Sequence, residues 1–236
     1  MNGPAPEIVP DPTIPLPPYE LRMGGRHFKK DPAFVNAGVR DVRQLRQRAG
    51  LGRRKRVLDW GCGAGRLAVG IKHLLGHVED YHGVDVQPAL IGWAQAHLAD
   101  EHHRFTLVDA HNARYNPRGR PSFDIPADDG SVDVVHGYSV FSHMLADDVA
   151  GYAATIRRIL APEGRAWLTA FVEEEVPDCV ENPDDYLDLR WDGALHCVRY
   201  ERHFFEQLMW DAGLAVSEFV HGKETDGQSV YVLRRR

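Results

Sequence analysis

Three glycines at alternate positions, Gly61, Gly63 and Gly65, follow an apolar run that ends in the carboxylate of Asp59. A residue without a Cβ lets the backbone come close to a ligand. Residues 67–75 then show helical apolar spacing, so the loop leads into a helix N-terminus with free N–H groups. The combination predicts a loop that holds a small molecule with polar or anionic groups.

The spacing of the glycines separates two classes of ligand. A dinucleotide-binding loop reads G-x-G-x-x-G and receives a pyrophosphate on the helix N-terminus. Here the spacing is G-x-G-x-G, and Asp59 stands two positions before the first glycine. A carboxylate at that place repels a pyrophosphate and suits a ligand with an ammonium group. The pattern D-x-G-x-G-x-G resembles the first motif of the class I S-adenosylmethionine-dependent methyltransferases, which implies that cofactor.

Predicted strands and helices alternate around this loop. Strands are predicted over 56–59, 81–85, 105–108, 132–137, 165–172, 214–220 and 229–233, and helices over 34–48, 66–75, 88–99, 145–160 and 202–211. Such alternation is typical of a parallel sheet covered by helices. The last two strands have no long helix between them, which predicts an antiparallel hairpin. We therefore expect an α/β fold with a Rossmann-like, doubly wound, seven-stranded sheet that is mostly parallel, as the resemblance also implies.

Composition indicates the domain boundaries. Residues 1–18 contain seven prolines, which favours an extended, flexible arm over a folded unit. The arm could also lie across a neighbouring subunit, which leaves a homodimer open. Residues 19–236 are expected to form a single methyltransferase domain with an N-terminal helical segment. We interpret residues 172–199 as an acidic, lid-like insertion.

Carboxylates that end two strands are candidate cofactor ligands, because ligands of open α/β sheets bind beyond the carboxyl ends of the strands. The resemblance implies that Asp85, followed by Val86, accepts hydrogen bonds from both ribose hydroxyls. A helix N-cap ahead of Pro88 is the alternative role of Asp85. The resemblance also implies that Asp109 accepts from the adenine amino group, while the N–H of Ala110 meets a ring nitrogen.

Four more residues are candidates for contact with the cofactor. Cys62 lies inside the glycine loop, where its small size is suitable. Tyr138 follows the fourth strand, beside the expected place of the methionine part. Tyr19 and Arg22 precede the first helix, and in related enzymes such a segment can close over the cofactor. Arg22 could then pair with the cofactor carboxylate, or it could be a surface arginine.

Two histidines flank the predicted reaction centre. Transfer to a hydroxyl needs a base, whereas transfer to a carboxylate needs none, and a histidine titrates near neutrality. His143 matches the family's S-V-F-x-H segment and is our first candidate for the base; a packing or capping role is the alternative. His136 ends a buried strand and is the second candidate, with a core histidine as its alternative.

The predicted lid carries a strong negative charge. Its nine acidic residues, which outnumber Arg190 and Arg199, are Glu173, Glu174, Glu175, Asp178, Glu181, Asp184, Asp185, Asp188 and Asp192. A solvated acidic surface explains most of this charge. Tyr186, Trp191 and Tyr200 offer flat surfaces that could stack on a sugar or another ring. Some carboxylates together with His143 could hold Mg²⁺, a hard cation that prefers oxygen ligands, although no spacing identifies such a site.

Charge and motif content argue against a nucleic-acid partner. The formal net charge of -6 lacks the basic balance of a protein that binds a phosphate backbone. Methyltransferases that act on nucleic-acid amines carry an N-P-P-Y-like motif after the fourth strand, whereas residues 136–139 read H-G-Y-S here. We therefore expect a small-molecule acceptor, with a sugar or glycan precursor as one candidate.

The sequence also lacks signals for export or for a membrane. It shows no basic start followed by an apolar run, and no apolar run of spanning length. The odd count of three cysteines predicts no disulfide framework and suits a reducing compartment. We expect a cytoplasmic protein without a membrane partner.

Several alternatives stay open. A nicotinamide-dependent oxidoreductase is disfavoured by the glycine spacing and by Asp59, and a non-catalytic cofactor-binding subunit would keep the same loop. The segment H-G-V-D-V-Q-P-A-L-I-G-W resembles, in its general residue pattern, segments of small-molecule O-methyltransferases of actinobacterial biosynthetic pathways, including those that act on sugars. A carboxylate or an amine of a small metabolite is the alternative acceptor to a hydroxyl.

Overall fold

The computed structural model describes residues 7–25, 28–184 and 186–236. The chain divides into two compact units at the bond between Leu107 and Val108. Nine strands occur in the part of the chain that the structure describes. The α/β class and the mixture of parallel and antiparallel strands are confirmed, but the predicted number of seven strands is wrong.

The first unit contains three helices and three strands. In chain order they are α1 (Asp31–Arg48), β1 (Arg56–Trp60), α2 (Arg66–Leu74), β2 (Asp80–Asp85), α3 (Pro88–His97) and β3 (His103–Leu107). The strands are parallel in the order β3-β2-β1, and Asp59 lies opposite Gly83. Each element lies within three residues of its predicted bounds, because apolar periodicity and Pro88 at a helix start are strong local signals.

Helices α1 and α2 approach each other at two glycines. A Cβ built on Gly38 would lie 2.3 Å from the carbonyl oxygen of Arg66, and one on Gly70 would lie 2.3 Å from the carbonyl carbon of Gly38. Any larger side chain at either position would separate the helices. Burial of Val35, Val39 and other apolar residues along α1 drives this packing.

Residues 7–18 belong to the segment predicted as a flexible arm. The backbone N–H of Ile8 donates to Asn36 Oδ1 at 2.7 Å, and Asn36 Nδ2 donates to the Ile8 carbonyl at 2.9 Å. The backbone N–H of Asp11 donates to His73 Nε2 at 3.1 Å. These bonds join the segment to α1 and α2. Pro4 and Pro6 lie outside the described residues, and the mobility of the arm stays a prediction.

The second unit contains the remaining elements. They are β4 (Val132–Gly137), α4 (Ala146–Ile159), β5 (Leu160–Glu173), β6 (Cys179–Glu181), β7 (Val198–Glu201), α5 (Arg202–Asp211), β8 (Leu214–Val220) and β9 (Ser229–Arg235). Strand β5 pairs parallel with β4 and antiparallel with β9. Strands β8 and β9 pair antiparallel, which confirms the predicted hairpin.

The acidic segment supplies the two strands that the sequence did not predict. Strand β7 pairs parallel with β5 at residues 171–173, and β6 pairs antiparallel with β7. Both strands are short, and charged residues hide their apolar pattern. Val198 and Tyr200 are nevertheless fully buried on one face of β7, so two-residue periodicity was the available signal.

No helix in the described ranges is long and apolar enough to cross a bilayer.

Candidate functional site

The glycine loop of the first unit has the geometry that its glycines predict. Gly61, Gly63 and Gly65 have φ values of 74°, 55° and 85°, a region that side chains disfavour. A Cβ on Gly65 would lie only 2.5 Å from Leu98 Cδ1. The N–H of Gly61 donates to the Val84 carbonyl at 2.9 Å, which fixes the loop against β2.

Asp85 is joined directly to this loop. Its Oδ2 accepts from the N–H of Gly63 at 2.9 Å, and its Oδ1 accepts from the N–H of Gln87 at 2.9 Å. Burial raises the pKa of Asp85, while the N–H groups of Gly63 and Gln87 lower it. Each carboxylate oxygen keeps a lone pair for a ligand hydroxyl. The structure therefore brings together Asp85 and the glycine loop, as the sequence predicted.

Asp59 and Cys62 lie buried at the base of the loop. Asp59 Oδ2 accepts from the Tyr81 hydroxyl at 2.5 Å, and Asp59 has 2 % exposure. Burial, together with the negative charges of Asp59 and Asp85, raises the pKa of Cys62 well above its usual value. The thiol is therefore held protonated and inert, which fits the small-size role predicted for Cys62.

The segment before α1 passes close to the loop, but Arg22 is occupied by internal contacts. Its guanidinium donates to the Pro17 carbonyl at 2.8 Å, to the Lys29 carbonyl at 2.6 Å and to Asp31 Oδ1 at 2.5 Å. This geometry favours an anchoring role, and a contact with the cofactor stays a prediction. Met23 lies close to the loop, since a Cβ on Gly63 would lie 3.9 Å from Met23 Cγ.

Tyr19 precedes Arg22 and is mostly exposed. The ammonium group of Lys29 lies 5.0 Å from the centre of its ring. The structure records no hydrogen bond from the Tyr19 side chain within the described residues, so its predicted contact with the cofactor stays a prediction.

Asp109 and Ala110 lie at the start of the second unit. The side chain of Asp109 is 59 % exposed, and its Oδ2 lies 3.2 Å from Arg120 Nε. Ala110 is buried, and its carbonyl accepts from Asn116 Nδ2 at 3.0 Å. The exposed Asp109 carboxylate thus pairs with Arg120, and the adenine contact predicted for it stays a prediction.

His136 and Tyr138 form a ring stack with Trp167. The ring centres of His136 and Trp167 are 5.3 Å apart, and those of Tyr138 and Trp167 are 6.0 Å apart. His136 is only 3 % exposed, which favours the core alternative for this residue. The Tyr138 hydroxyl donates to Thr225 Oγ1 at 2.6 Å, which fixes the tyrosine beside β4.

His143 ends a short 3-10 helix, Phe141–His143. Its Nδ1 lies 2.9 Å from the Leu195 carbonyl oxygen. Because a carbonyl can only accept, Nδ1 carries the proton and Nε2 of the neutral ring carries a lone pair. Nε2 lies 3.5 Å from Ser139 Oγ. Burial is the main cause that lowers the pKa of His143 to about 4, so the ring is neutral at pH 7.

A family model described as a methyltransferase domain matches residues 34–218. The chain belongs to this methyltransferase family. Membership confirms the predicted activity class and, with it, the predicted S-adenosylmethionine cofactor. The match spans α1 through most of β8 and includes both the glycine loop and His143.

Solved structures with this fold include proteins with different chemistry. The methyltransferase is similar to the SpnF cyclase, with a TM-score of 0.62, 16% identity, and coverage of 84% of this chain and 81% of that chain. It is also similar to a geranyl diphosphate C-methyltransferase from Streptomyces coelicolor, solved with Mg²⁺, geranyl diphosphate and S-adenosyl-L-homocysteine (TM-score 0.61, 14% identity, coverage 88% and 80%). A third is the mitomycin 7-O-methyltransferase MmcR (TM-score 0.58, 16% identity, coverage 87% and 56%). These likenesses show a shared fold.

A polar network beside His143 was missed in the sequence. Ser139 has a φ of 56°, which is uncommon for a residue with a side chain. Its N–H donates to Thr169 Oγ1 at 2.7 Å, and its Oγ lies 2.9 Å from Ser142 Oγ. Gln228 Nε2 donates to Ser139 Oγ at 2.9 Å. The available signal for Ser139 was its place in the S-V-F-S-H segment of the methyltransferase. The contact with Gln228 could not be predicted, because Gln228 lies far along the chain.

The acidic segment positions the carbonyl that His143 contacts. Leu195 is buried and has a φ of 48°, and its N–H donates to Glu181 Oε1 at 2.7 Å. Asn182 Oδ1 accepts from the N–H of Cys197 at 3.0 Å, and Asn182 Nδ2 donates to the Gly193 carbonyl at 2.8 Å. Residues 181 and 182 thus join the start of the loop at residues 182–197 to its end. No spacing rule could have predicted these contacts.

The predicted Mg²⁺ has no located site. Within the described residues, no group of three or more histidine, cysteine, aspartate or glutamate side chains is arranged to hold a metal ion. His143 directs Nδ1 to a carbonyl instead. A requirement for Mg²⁺ stays a prediction.

Proposed function

We propose that this protein transfers the methyl group of S-adenosylmethionine to an oxygen of a small-molecule acceptor, with His143 as the general base. The single observation that supports this most strongly is the bond between His143 Nδ1 and the Leu195 carbonyl. It leaves Nε2 unprotonated, with a lone pair that can take a proton. A hydroxyl that receives the methyl group must lose its proton to a group of that kind.

The first unit supplies cofactor binding in this proposal. Gly61, Gly63 and Gly65 let the backbone approach the ligand, and Asp85 receives the two ribose hydroxyls on the lone pairs that its backbone contacts leave. Asp59 balances the positive end of the methionine part. S-adenosylmethionine brings an activated methyl group, so positioning the acceptor in line and excluding water are the main tasks left to the protein.

The other predicted cofactor contacts belong to the same proposal. Asp109 would accept from the adenine amino group, with the N–H of Ala110 on a ring nitrogen. Val86 follows Asp85 and would line the ribose side, and Tyr138 would face the methionine part. Tyr19 and Arg22 would act by holding the segment that carries Met23 over the loop.

The acceptor side rests on aromatic and polar groups around His143. The Tyr115 ring meets the His143 ring edge-on, with centres 5.2 Å apart. His196, whose charge acts on His143, meets the Trp191 ring edge-on with centres 5.3 Å apart. Rings of this kind pack on flat apolar or sugar surfaces, so a sugar or an aromatic hydroxyl suits the site.

An acceptor screen tests the proposal. The full chain is incubated with labelled S-adenosylmethionine and with matched hydroxyl, carboxyl and amine compounds, with and without Mg²⁺, and the methylated atom is identified by NMR. We expect labelled methyl ethers, which His143→Gln should form about 10²–10⁴-fold more slowly. Labelling of carbon, nitrogen or carboxylate oxygen alone would overturn the hydroxyl acceptor and the base together, and transfer to no acceptor would overturn the proposal.

A further inference from the structure

Arg114 lies beside the proposed base and lacks a carboxylate partner among the described residues. It is half-buried, and its guanidinium lies 5.6 Å from the centre of the Tyr115 ring, which in turn meets His143. Its hydrogen bonds are long: 3.5 Å to the carbonyl of Asp192 and 3.4 Å to that of Ala194. Contacts of this length stabilise a guanidinium only weakly.

Two carboxylates of the acidic segment, those of Asp192 and Glu181, are engaged with other groups. The Asp192 side chain lies 3.1 Å from Arg190 Nε, and only its backbone carbonyl meets Arg114. Glu181 Oε1 accepts from the N–H of Leu195. By contrast, Arg120 in the same loop as Arg114 pairs with a carboxylate. Among the residues that the structure describes, Arg114 therefore has no carboxylate at ion-pair distance, and its positively charged guanidinium is open to an anionic ligand.

This charge opposes the proton transfer that the mechanism needs. When Nε2 of His143 takes a proton, an imidazolium forms close to the guanidinium. Burial already lowers the pKa of His143, the charges of Arg114 and His196 lower it further, and the Leu195 carbonyl raises it. A base with so low a pKa is poorly matched to a hydroxyl. A negative charge bound at Arg114 would remove the repulsion and favour the imidazolium.

We propose that the acceptor is a hydroxy acid, and that Arg114 binds its carboxylate while its hydroxyl faces His143 Nε2. A guanidinium binds a carboxylate through two parallel N–H···O bonds, which also orients the rest of the molecule. During transfer, the hydroxyl oxygen forms the new bond to the methyl carbon as the bond from that carbon to sulfur breaks. The hydroxyl proton passes to His143, and the sulfur retains the electron pair. The inference rests on the proposed role of His143.

Matched pairs of ligands test the carboxylate. Salicylate, mandelate and 4-hydroxybenzoate are titrated calorimetrically into the full chain saturated with S-adenosylhomocysteine, each beside its primary amide. We expect at least one acid to bind more tightly than its amide by about tenfold or more, the value of a charge-assisted hydrogen bond. The preference should disappear in Arg114→Gln and persist in Arg118→Gln, an exposed arginine of the same loop.

Three outcomes would overturn the inference: equal affinities within every pair, no acid bound at millimolar concentration, or a preference that Arg114→Gln leaves unchanged. Unchanged affinity of each variant for S-adenosylhomocysteine shows that it is folded. A histidine NMR titration adds a second readout, because a bound acid should raise the pKa of His143 and its amide should not. If acids bind but no methyl group moves, the proposed function fails while the anion site stands.

Discussion

The glycine loop at residues 61–65 and the loop at residues 182–197 both contain left-handed backbone, but they reach it differently. The first places glycine at each such position, which costs no steric strain. The second has Gly193 there but also Asn182, Leu187, Asp188 and Leu195. Asn and Asp tolerate this conformation, whereas each leucine costs about 1–3 kcal/mol that surrounding contacts must offset. The glycine loop is therefore specified locally, whereas the loop at residues 182–197 depends on distant contacts.

Substitutions near the loop at residues 182–197 and in the glycine loop should therefore change different quantities. The largest expected effect is on kcat, from substitution of His143. His143→Gln should lower kcat by about 10²–10⁴-fold, the usual contribution of a general base. The affinity for S-adenosylhomocysteine should stay unchanged, because the glycine loop and Asp85 remain intact. Steady-state kinetics and calorimetry measure the two quantities. His203→Gln, at an exposed position on α5, is the control, and unaltered turnover in His143→Gln would remove His143 from the mechanism.

Asp85 should give the opposite pattern. Asp85→Asn replaces one acceptor oxygen by an amide that faces a backbone N–H, so the loop contact and a ribose contact are both weakened. We expect affinity for S-adenosylhomocysteine to fall by about 1.5–3 kcal/mol, the value of a hydrogen bond to a charged group. Asp80→Asn, at the other end of β2, should bind normally. Normal affinity in Asp85→Asn would refute the ribose assignment.

Acid should destabilise the protein through buried histidines in both units. Burial lowers the pKa of His82 and that of His143 to about 4, whereas an unfolded histidine titrates near 6.5. The unfolded chain therefore binds more protons between these values, and stability falls as pH decreases from about 6.5 to about 4. The slope is up to about 1.4 kcal/mol per pH unit for each histidine.

Urea unfolding at several pH values measures this slope. His143→Gln and His82→Gln should each make it shallower. A free energy of unfolding that is constant across this range would show that neither histidine is held neutral by the fold.

The smallest effect should come from the contact that holds the strained loop. Glu181→Ala removes the acceptor for the Leu195 N–H, so the carbonyl that fixes the His143 tautomer becomes less ordered. We expect kcat to fall about fivefold, which corresponds to about 1 kcal/mol, with KM for the cofactor unchanged. Glu181→Gln keeps the accepting oxygen and should restore most of the rate. If Glu174→Ala, which only loses its exposed pairing with Arg202, lowers kcat as much, the role of Glu181 is not specific.

The same contrast explains how much could be predicted from the sequence. The first unit follows from local signals: apolar periodicity gave β1 and β2, Pro88 marked the start of α3, and the glycine spacing with Asp59 indicated the cofactor. The bond from Gly63 to Asp85 follows from the shared edge of adjacent parallel strands.

His143 and the loop at residues 182–197 could be predicted only in part. His143 lies in a recognisable sequence motif, but its partner Leu195 is fifty-two positions further along the chain. Leu195 also has a left-handed backbone conformation, which leucine disfavours. Strands β6 and β7 are too short for periodicity to distinguish them from an acidic loop. For Arg22 the residue type suggested a ligand contact that the structure does not favour. Its guanidinium donates instead to Pro17, Lys29 and Asp31.

Calorimetric titration of the wild-type chain with S-adenosylhomocysteine and, separately, with NAD distinguishes the two classes of ligand that the glycine loop could hold. The glycine loop together with Asp59 and Asp85 should bind the nucleoside and amino-acid parts that S-adenosylhomocysteine shares with S-adenosylmethionine, and should exclude a pyrophosphate. We predict saturable one-to-one binding of S-adenosylhomocysteine and no measurable heat with NAD. Binding of NAD without binding of S-adenosylhomocysteine would contradict the account.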